Sequence, residues 1–168
     1  MVYWLYYHCN RTIGDKLLPI AGSAPYADSA DAVAKGATVL VGGKSIDGPG
    51  WFYQPTALGD LTDDMRIVME EAFGPVASIY KVADRDEAIR IANQTTFGLS
   101  SAVWTNDAEE EAVFIRDLDA GAVFINGMTV SYPELPFGGI KDSGFGREGV
   151  RYAMEEMTEL KSLIIKQG

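Results

Sequence analysis

The chain of 168 residues has one cysteine, Cys9, and one histidine, His8. A single thiol cannot form a disulfide within the chain, which suits a reducing compartment and sets the expectation of a cytoplasmic protein. A structural zinc site takes about four Cys or His ligands, so no metal site is expected. No apolar run approaches the roughly 20 residues of a spanning helix. Residues 1–7 (MVYWLYY) are apolar but lack a basic n-region, which makes a poor signal peptide, and no membrane partner is expected. Basic residues are scarce as well: 14 Lys and Arg face 24 Asp and Glu, a net charge of −10. The imbalance is local. Residues 1–50 hold four basic and four acidic side chains, and residues 51–168 hold ten and twenty. Such a surface repels nucleic acid and anionic lipid, so neither is expected as a partner.

Glycine, by contrast, is plentiful where the chain is richest in signal. Pro136-Phe137-Gly138-Gly139-Ile140-Lys141-Asp142-Ser143-Gly144-Phe145-Gly146-Arg147-Glu148 holds four of the 18 glycines in nine residues. Glycine density costs folding entropy and suits a loop whose backbone must turn or approach another group closely. Arg147-Glu148 then opens a helical pattern through Val150, Ala153, Met154 and Met157. Within this stretch Gly144-x-Gly146-x-x-Gly149 imitates a dinucleotide fingerprint. That fingerprint needs a strand before it and an acid some 20 residues after it. Lys141-Asp142-Ser143 does not read as a strand, and the acid's place falls on residues 166–168, Lys, Gln and Gly.

The remaining pattern alternates. Ala30 to Lys35 reads as a helix ended by Gly36, and Thr38 to Val41 as a strand before Gly42-Gly43. Phe52 to Leu58 reads as extended and, because of Pro55, as a sheet edge. Met65 to Glu70 is a helical turn and Val76 to Val82 a strand. Asp84 caps a helix, with Glu87 as the capping-box acid and Ala88, Ile91 and Ala92 inward. Ser101 to Thr105 is a strand. A helix runs from Asn106 or Asp107 to Leu118 with Ala112, Ile115 and Leu118 inward, then Gly121 to Asn126 is a strand. Leu160 to Lys166 is a last strand. Strands separated by helices imply right-handed crossovers and an α/β fold, a parallel sheet with flanking helices. Residues 1–26, crowded with Tyr3, Trp4, Tyr6 and Tyr7, stand apart as an atypical leader.

Ligands of open parallel sheets collect beyond the carboxyl ends of the strands. The loop after strand 121–126 emerges there, and so does Glu70-Glu71-Ala72-Phe73-Gly74-Pro75, just before strand 76–82. A carboxylate in that corner can accept both hydroxyls of a ribose. It can equally be a solvated helix end beside a core Phe.

Glu70-Glu71-Ala72-Phe73-Gly74-Pro75-Val76 closely resembles the E-E-x-F-G-P-V motif of NAD(P)-dependent aldehyde dehydrogenases. Pro136 to Gly144 resembles their P-F-G-G-x-K-x-S-G motif, and Ala92 to Ser100 (ANQTTFGLS) their A-N-x-T-x-Y-G-L-(A/S) stretch. Asp31 to Ala37 followed by Gly42-Gly43 also fits. The resemblance covers residues 28–167, and the tail 149–158 looks most like the lactaldehyde and glycolaldehyde branch. It implies an incomplete aldehyde dehydrogenase catalytic domain over residues 27–158 and an oligomerisation strand over 159–168, hence a homo-oligomer. It implies NAD or NADP as cofactor and a small aldehyde as substrate. Glu71 would hold the nicotinamide-side ribose, Phe73 would pack beside that ribose, and Leu99 would contact the cofactor near its reactive end. Phe137 would line the aldehyde pocket. Outside the motif, Leu99 and Phe137 would read as core.

The family's reaction runs through a cysteine thiohemiacetal, hydride transfer to NAD(P), and hydrolysis by activated water. Cys9 sits in Tyr7-His8-Cys9-Asn10, which does not match the family's nucleophile motif, and no catalytic residue is assigned. A chain expected to lack the nucleophile and the Rossmann domain is expected to be inactive alone. Two other readings stand beside this one: an interaction module pairing through an exposed edge, and a pseudoenzyme that keeps weak nucleotide binding.

Overall fold

The computed structural model describes residues 24–166 apart from 51 and 73, with side chains from residue 27 onward. The chain divides into two compact units, with the boundary in sequence between Thr95 and Thr96.

In the first unit, helix α1 (Ala24–Ala34) leads into strand β1 (Thr38–Val41). The turn between them is closed twice: Gly36 N–H donates to the Val33 carbonyl at 3.1 Å and Ala37 N–H to the Ala32 carbonyl at 2.9 Å. That 5→2 and 6→1 pairing needs a left-handed residue at the end of the helix, and Gly36 supplies it with φ +107°. A hairpin of β2 (Ser45–Ile46) and β3 (Phe52–Tyr53) follows, then β4 (Thr56–Gly59), the short helix α2 (Arg66–Met69), β5 (Val76–Ser78) and helix α3 (Arg85–Gln94). As expected, Asp84 caps α3, accepting from Glu87 N–H at 2.9 Å, while the Glu87 carboxylate accepts from Ala83 N–H at 2.7 Å.

Strand β4 pairs antiparallel with β1 and parallel with β5, so it is the middle strand of three. The expectation of a sheet edge at Pro55 is therefore corrected. Pro55 stands one residue before β4, where its missing N–H is not asked of the ladder, and Thr56 N–H makes the first bond, to the Pro75 carbonyl at 2.8 Å. The sheet is mixed rather than wholly parallel. The strand expected over 76–82 leaves the ladder at Ser78, and Ile79 N–H to the Leu58 carbonyl closes it. Leu58, Val76, Met65, Ile67, Tyr53, Ala32, Ala37 and Ala72 form one buried cluster, with Leu58 and Ala72 wholly buried.

In the second unit, β6 (Phe97–Gly98) and β7 (Ser100–Val103) precede helix α4 (Ala108–Asp117) and β8 (Ala122–Ile125). β7 and β8 pair in parallel with α4 as the crossover, the βαβ unit the alternation implied. β9 (Ile140–Lys141) pairs antiparallel with β6, and helix α5 (Val150–Glu156) follows.

Two expectations change here. The inward residue of α4 is Phe114, 3% exposed, while Ile115 is 53% exposed. Glu110, one turn before Phe114 on the same face, accepts from Thr105 Oγ1 at 2.7 Å. The helical pattern read after Arg147-Glu148 is α5, and its Val150 and Met154, with Met157 at its end, are exposed. Residues 159–166 form no strand, no segment among the described residues pairs with them, and Leu160, Leu163, Ile164 and Ile165 are exposed. No helix among the described residues is long and apolar enough to cross a membrane.

Candidate cofactor and aldehyde sites

The Glu70–Val76 corner follows from how α2 ends. Glu70 N–H donates to the Arg66 carbonyl at 2.8 Å, and the backbone turns extended at Glu70. Ala72 is wholly buried, Gly74 N–H donates to the Ala72 carbonyl at 2.9 Å, and the chain enters β5. Glu71 is thus held between a helix end and a buried anchor, with its own side chain exposed.

The two adjacent acids differ in what they touch. Glu70 takes a bidentate fork from Arg66, Nε to Oε1 at 3.1 Å and Nη2 to Oε2 at 2.8 Å. That fork holds the Glu70 carboxyl below the ordinary glutamate range. Glu71 has no hydrogen bond or ion pair among the described residues, and partial burial pushes its carboxyl upward. Arg66 also reaches α1. Its N–H donates to Asp31 Oδ2 at 2.9 Å, and its Nη2 lies 3.2 Å from Asp28 Oδ1, an ion pair at an angle that makes no hydrogen bond. Asp28 is 2% exposed, and burial raises its carboxyl against the pull of Arg66. Phe73 lies outside the described residues.

In the second unit the glycine-rich loop closes on itself. Phe137 and Glu148 exchange backbone hydrogen bonds at 3.1 and 2.6 Å. Arg147 Nη1 donates to the carbonyls of Gly139 and Gly146 at 2.8 and 2.7 Å, and Glu156 Oε1 accepts from Arg147 N–H at 3.0 Å. Ser143 Oγ accepts from Gly98 N–H at 2.9 Å, tying the loop to β6. A side chain at Gly121 would overlap the Gly138 carbonyl oxygen, so the glycine there is required by close approach of two backbones. The folded loop walls an open cleft of about 350 Å³ that includes Leu99, Phe137, Ser143, Phe145 and Arg147. Leu99 is 43% exposed and Phe137 half-buried, so neither is a core residue.

Asn126, which ends the strand read over 121–126, stands at the carboxyl end of β8. Asn126 adopts φ +52° and pairs with Thr105 as a strand residue would: Oδ1 accepts from Thr105 N–H at 3.0 Å and Nδ2 donates to its carbonyl at 2.8 Å. Asparagine tolerates left-handed backbone, which is the local signal that was present. The Arg66–Glu70 spacing of i,i+4 was also visible in the sequence. Leu99 and Phe137 share one cleft; Glu71 belongs to the other unit. Cys9 and His8 lie outside the described residues. No cluster of His, Cys, Asp or Glu among the described residues could hold a metal ion.

An α/β chain with these two structural corners belongs to a class of known enzymes. Residues 27–163 match the model of the aldehyde dehydrogenase family, and the chain belongs to that family. It is 68% identical over 118 residues to the NADP(+) succinate-semialdehyde dehydrogenase of Mycobacterium avium (strain 104), a stretch covering 70% of this chain and 25% of that protein. Against succinate-semialdehyde dehydrogenase [NADP(+)] 1 of Mycobacterium tuberculosis (strain ATCC 25618 / H37Rv) the identity is 56% over 135 residues, 80% of this chain and 30% of that one. The chain thus spans about a quarter to a third of the curated relatives it matches. Among solved structures it resembles aldehyde dehydrogenase 21 from Physcomitrella patens in complex with the reaction product succinate. There the TM-score is 0.78 and the identity 36%, over 86% of this chain and 30% of that one. The succinate-semialdehyde dehydrogenase of Burkholderia pseudomallei gives a TM-score of 0.74 at 38% identity, over 80% and 28%. None of these relatives is a lactaldehyde or glycolaldehyde dehydrogenase, so the branch suggested by residues 149–158 gains no support.

Proposed function

We propose that the chain forms the later part of the catalytic domain of an NAD(P)-dependent aldehyde dehydrogenase, with residues 27–158 in that domain and 159–168 as its oligomerisation strand. Glu71 accepts the hydroxyls of the nicotinamide-side ribose. Phe73 packs beside it, Leu99 meets the cofactor near its reactive end, and Phe137 lines the aldehyde's path. The observation that carries this is the division of labour between adjacent acids: Arg66 occupies Glu70, and Glu71 keeps both carboxylate oxygens without a partner among the described residues. An ionised carboxylate offers two acceptors where a vicinal diol offers two donors, so the residue fits that part of the cofactor. Bound NAD(P) would supply the hydride acceptor. The chain's own residues orient the ribose and shape an apolar wall for the aldehyde.

The names of the mycobacterial relatives favour succinate semialdehyde, and NADP over NAD, as substrate and cofactor. The exposed Leu160, Leu163, Ile164 and Ile165 favour a homo-oligomer, and an interaction module is the second reading this segment supports. The setting is a cytoplasmic one. The chain alone does not turn over aldehyde, because its single cysteine, Cys9, sits in a sequence unlike the family's nucleophile motif.

Titration of the purified chain with nicotinamide mononucleotide, followed by amide NMR, tests the Glu71 assignment. Wild type and Glu70→Gln should bind, and Glu71→Gln should lose most of the affinity. Equal affinity in Glu71→Gln and wild type would overturn the assignment.

A further inference from the structure

We infer that Arg66 is a positioning residue for Glu71: its guanidinium fork on Glu70, anchored to two aspartates of α1, fixes the backbone from which the Glu71 carboxylate projects. The inference rests on the reading of Glu71 as the ribose-binding carboxylate and names a residue outside the motif that carries that reading.

The geometry is a hub. One arginine closes the 66–70 turn twice, through its carbonyl to Glu70 N–H at 2.8 Å and through the bidentate fork at 3.1 and 2.8 Å. Its backbone N–H holds Asp31 Oδ2 at 2.9 Å, and Asp31 in turn pairs with Lys35 at 3.0 Å. Its Nη2 faces the buried Asp28 at 3.2 Å. The charged groups around Arg66 are thus Asp28, Asp31 and Lys35 of α1 and Glu70 of its own turn. A planar fork fixes the direction of a carboxylate where a point charge would not. It also keeps Glu70 from competing with Glu71 for a ligand's hydroxyls. On the far side Ala72 is wholly buried, so the single exposed residue between two fixed neighbours is Glu71.

The test uses the full chain and two readouts, amide hydrogen exchange by NMR and affinity for nicotinamide mononucleotide. Arg66→Gln should speed exchange at the hydrogen-bonded amides of Glu70 and Gly74, on either side of Glu71, relative to Leu58 in β4, by about two- to fivefold, the range of an exposed ion pair. Affinity should weaken by a similar factor. Glu70→Gln should reproduce the exchange change, since it removes the other half of the fork. Arg66→Lys should fall between wild type and Arg66→Gln, because lysine restores the charge without the fork. Equal acceleration at Leu58 and at Glu70 and Gly74 in Arg66→Gln would show a role in overall stability only and overturn the inference, as would unchanged exchange at Glu70 and Gly74. A Glu71→Gln variant that binds like wild type would sink the ribose reading instead, and the exchange ratio would still decide whether Arg66 orders the corner.

Discussion

The two units solve the same problem with opposite means. Residues 24–95 bury a cluster of large and small apolar side chains around Leu58, Val76 and Met65. Among the described residues of 96–166, the buried apolar side chains are Val103 and Phe114. What holds the second unit is backbone brought close to backbone at Gly121 and Gly138, polar clasps at Asn126–Thr105 and Arg147–Gly139, and the β7–β8 ladder. A region stabilised by a packed core is sensitive to lost volume. A region stabilised by close backbone approach is sensitive to added volume. The second unit also exposes Trp104, Ile115, Met128, Leu135, Phe145 and Met157, which a self-sufficient core would have drawn in.

Denaturant unfolding read by amide NMR separates the units and can break this contrast. The largest effect is expected from Leu58→Ala in the middle strand of the first sheet, a loss of about 2–5 kcal/mol because the cavity cannot collapse. Gly121→Ala should cost about 1–3 kcal/mol, felt first by residues 96–166, since its methyl group would meet the Gly138 carbonyl rather than a movable side chain. An unchanged stability in Gly121→Ala would refute the close-approach account of the second unit. Asn126→Ala should cost about 1–2 kcal/mol, combining left-handed strain with two lost hydrogen bonds, and Asn126→Gly should cost less because it keeps the backbone conformation. Ile115→Ala, on an exposed helix face, should stay within about 0.5 kcal/mol.

The smallest effect concerns pH and divides two neighbours. Glu70 is depressed by Arg66, so its contribution is present above the ordinary glutamate range and is lost as pH falls through its lowered value. Glu71 is raised by partial burial, so its neutral form favours folding at low pH and that favour is lost as pH rises through its raised value. Carboxyl NMR titration should give Glu70 the lower midpoint of the two. Arg66→Gln should bring Glu70 up towards Glu71, and a Glu70 midpoint that does not move would remove the fork as the cause.

Much of this was legible in the sequence for local reasons. Gly36, Asp84 with Glu87, and Asp107 mark helix ends through their own backbone chemistry, and each sits where the residue type implied. The acid pair and the glycine-rich loop stood out through their motifs rather than their composition, since exposed acids are ordinarily solvated surface. What was missed depends on partners far off in sequence. Pro55 reads as an edge signal, yet its place one residue before β4 lets the strand lie in the middle. The inward residue of α4 is Phe114 rather than Ile115, a choice of face that the helix's apolar periodicity alone did not fix. Residues 160–166 have strand composition, but a strand exists only where a partner is supplied. Asn126, the last residue of the strand read over 121–126, extends the β7–β8 ladder through its side chain.

The central proposal is that Glu71 holds a ribose, that the Leu99–Phe137 cleft takes an aldehyde, and that the chain does not complete the reaction alone. Formation of NADPH or NADH by the purified chain, at high protein concentration with succinate semialdehyde and a panel of short aldehydes, tests it most directly. The account predicts no turnover above a Cys9→Ala control. Turnover that is lost in Cys9→Ala would contradict it and place the nucleophile within residues 1–26.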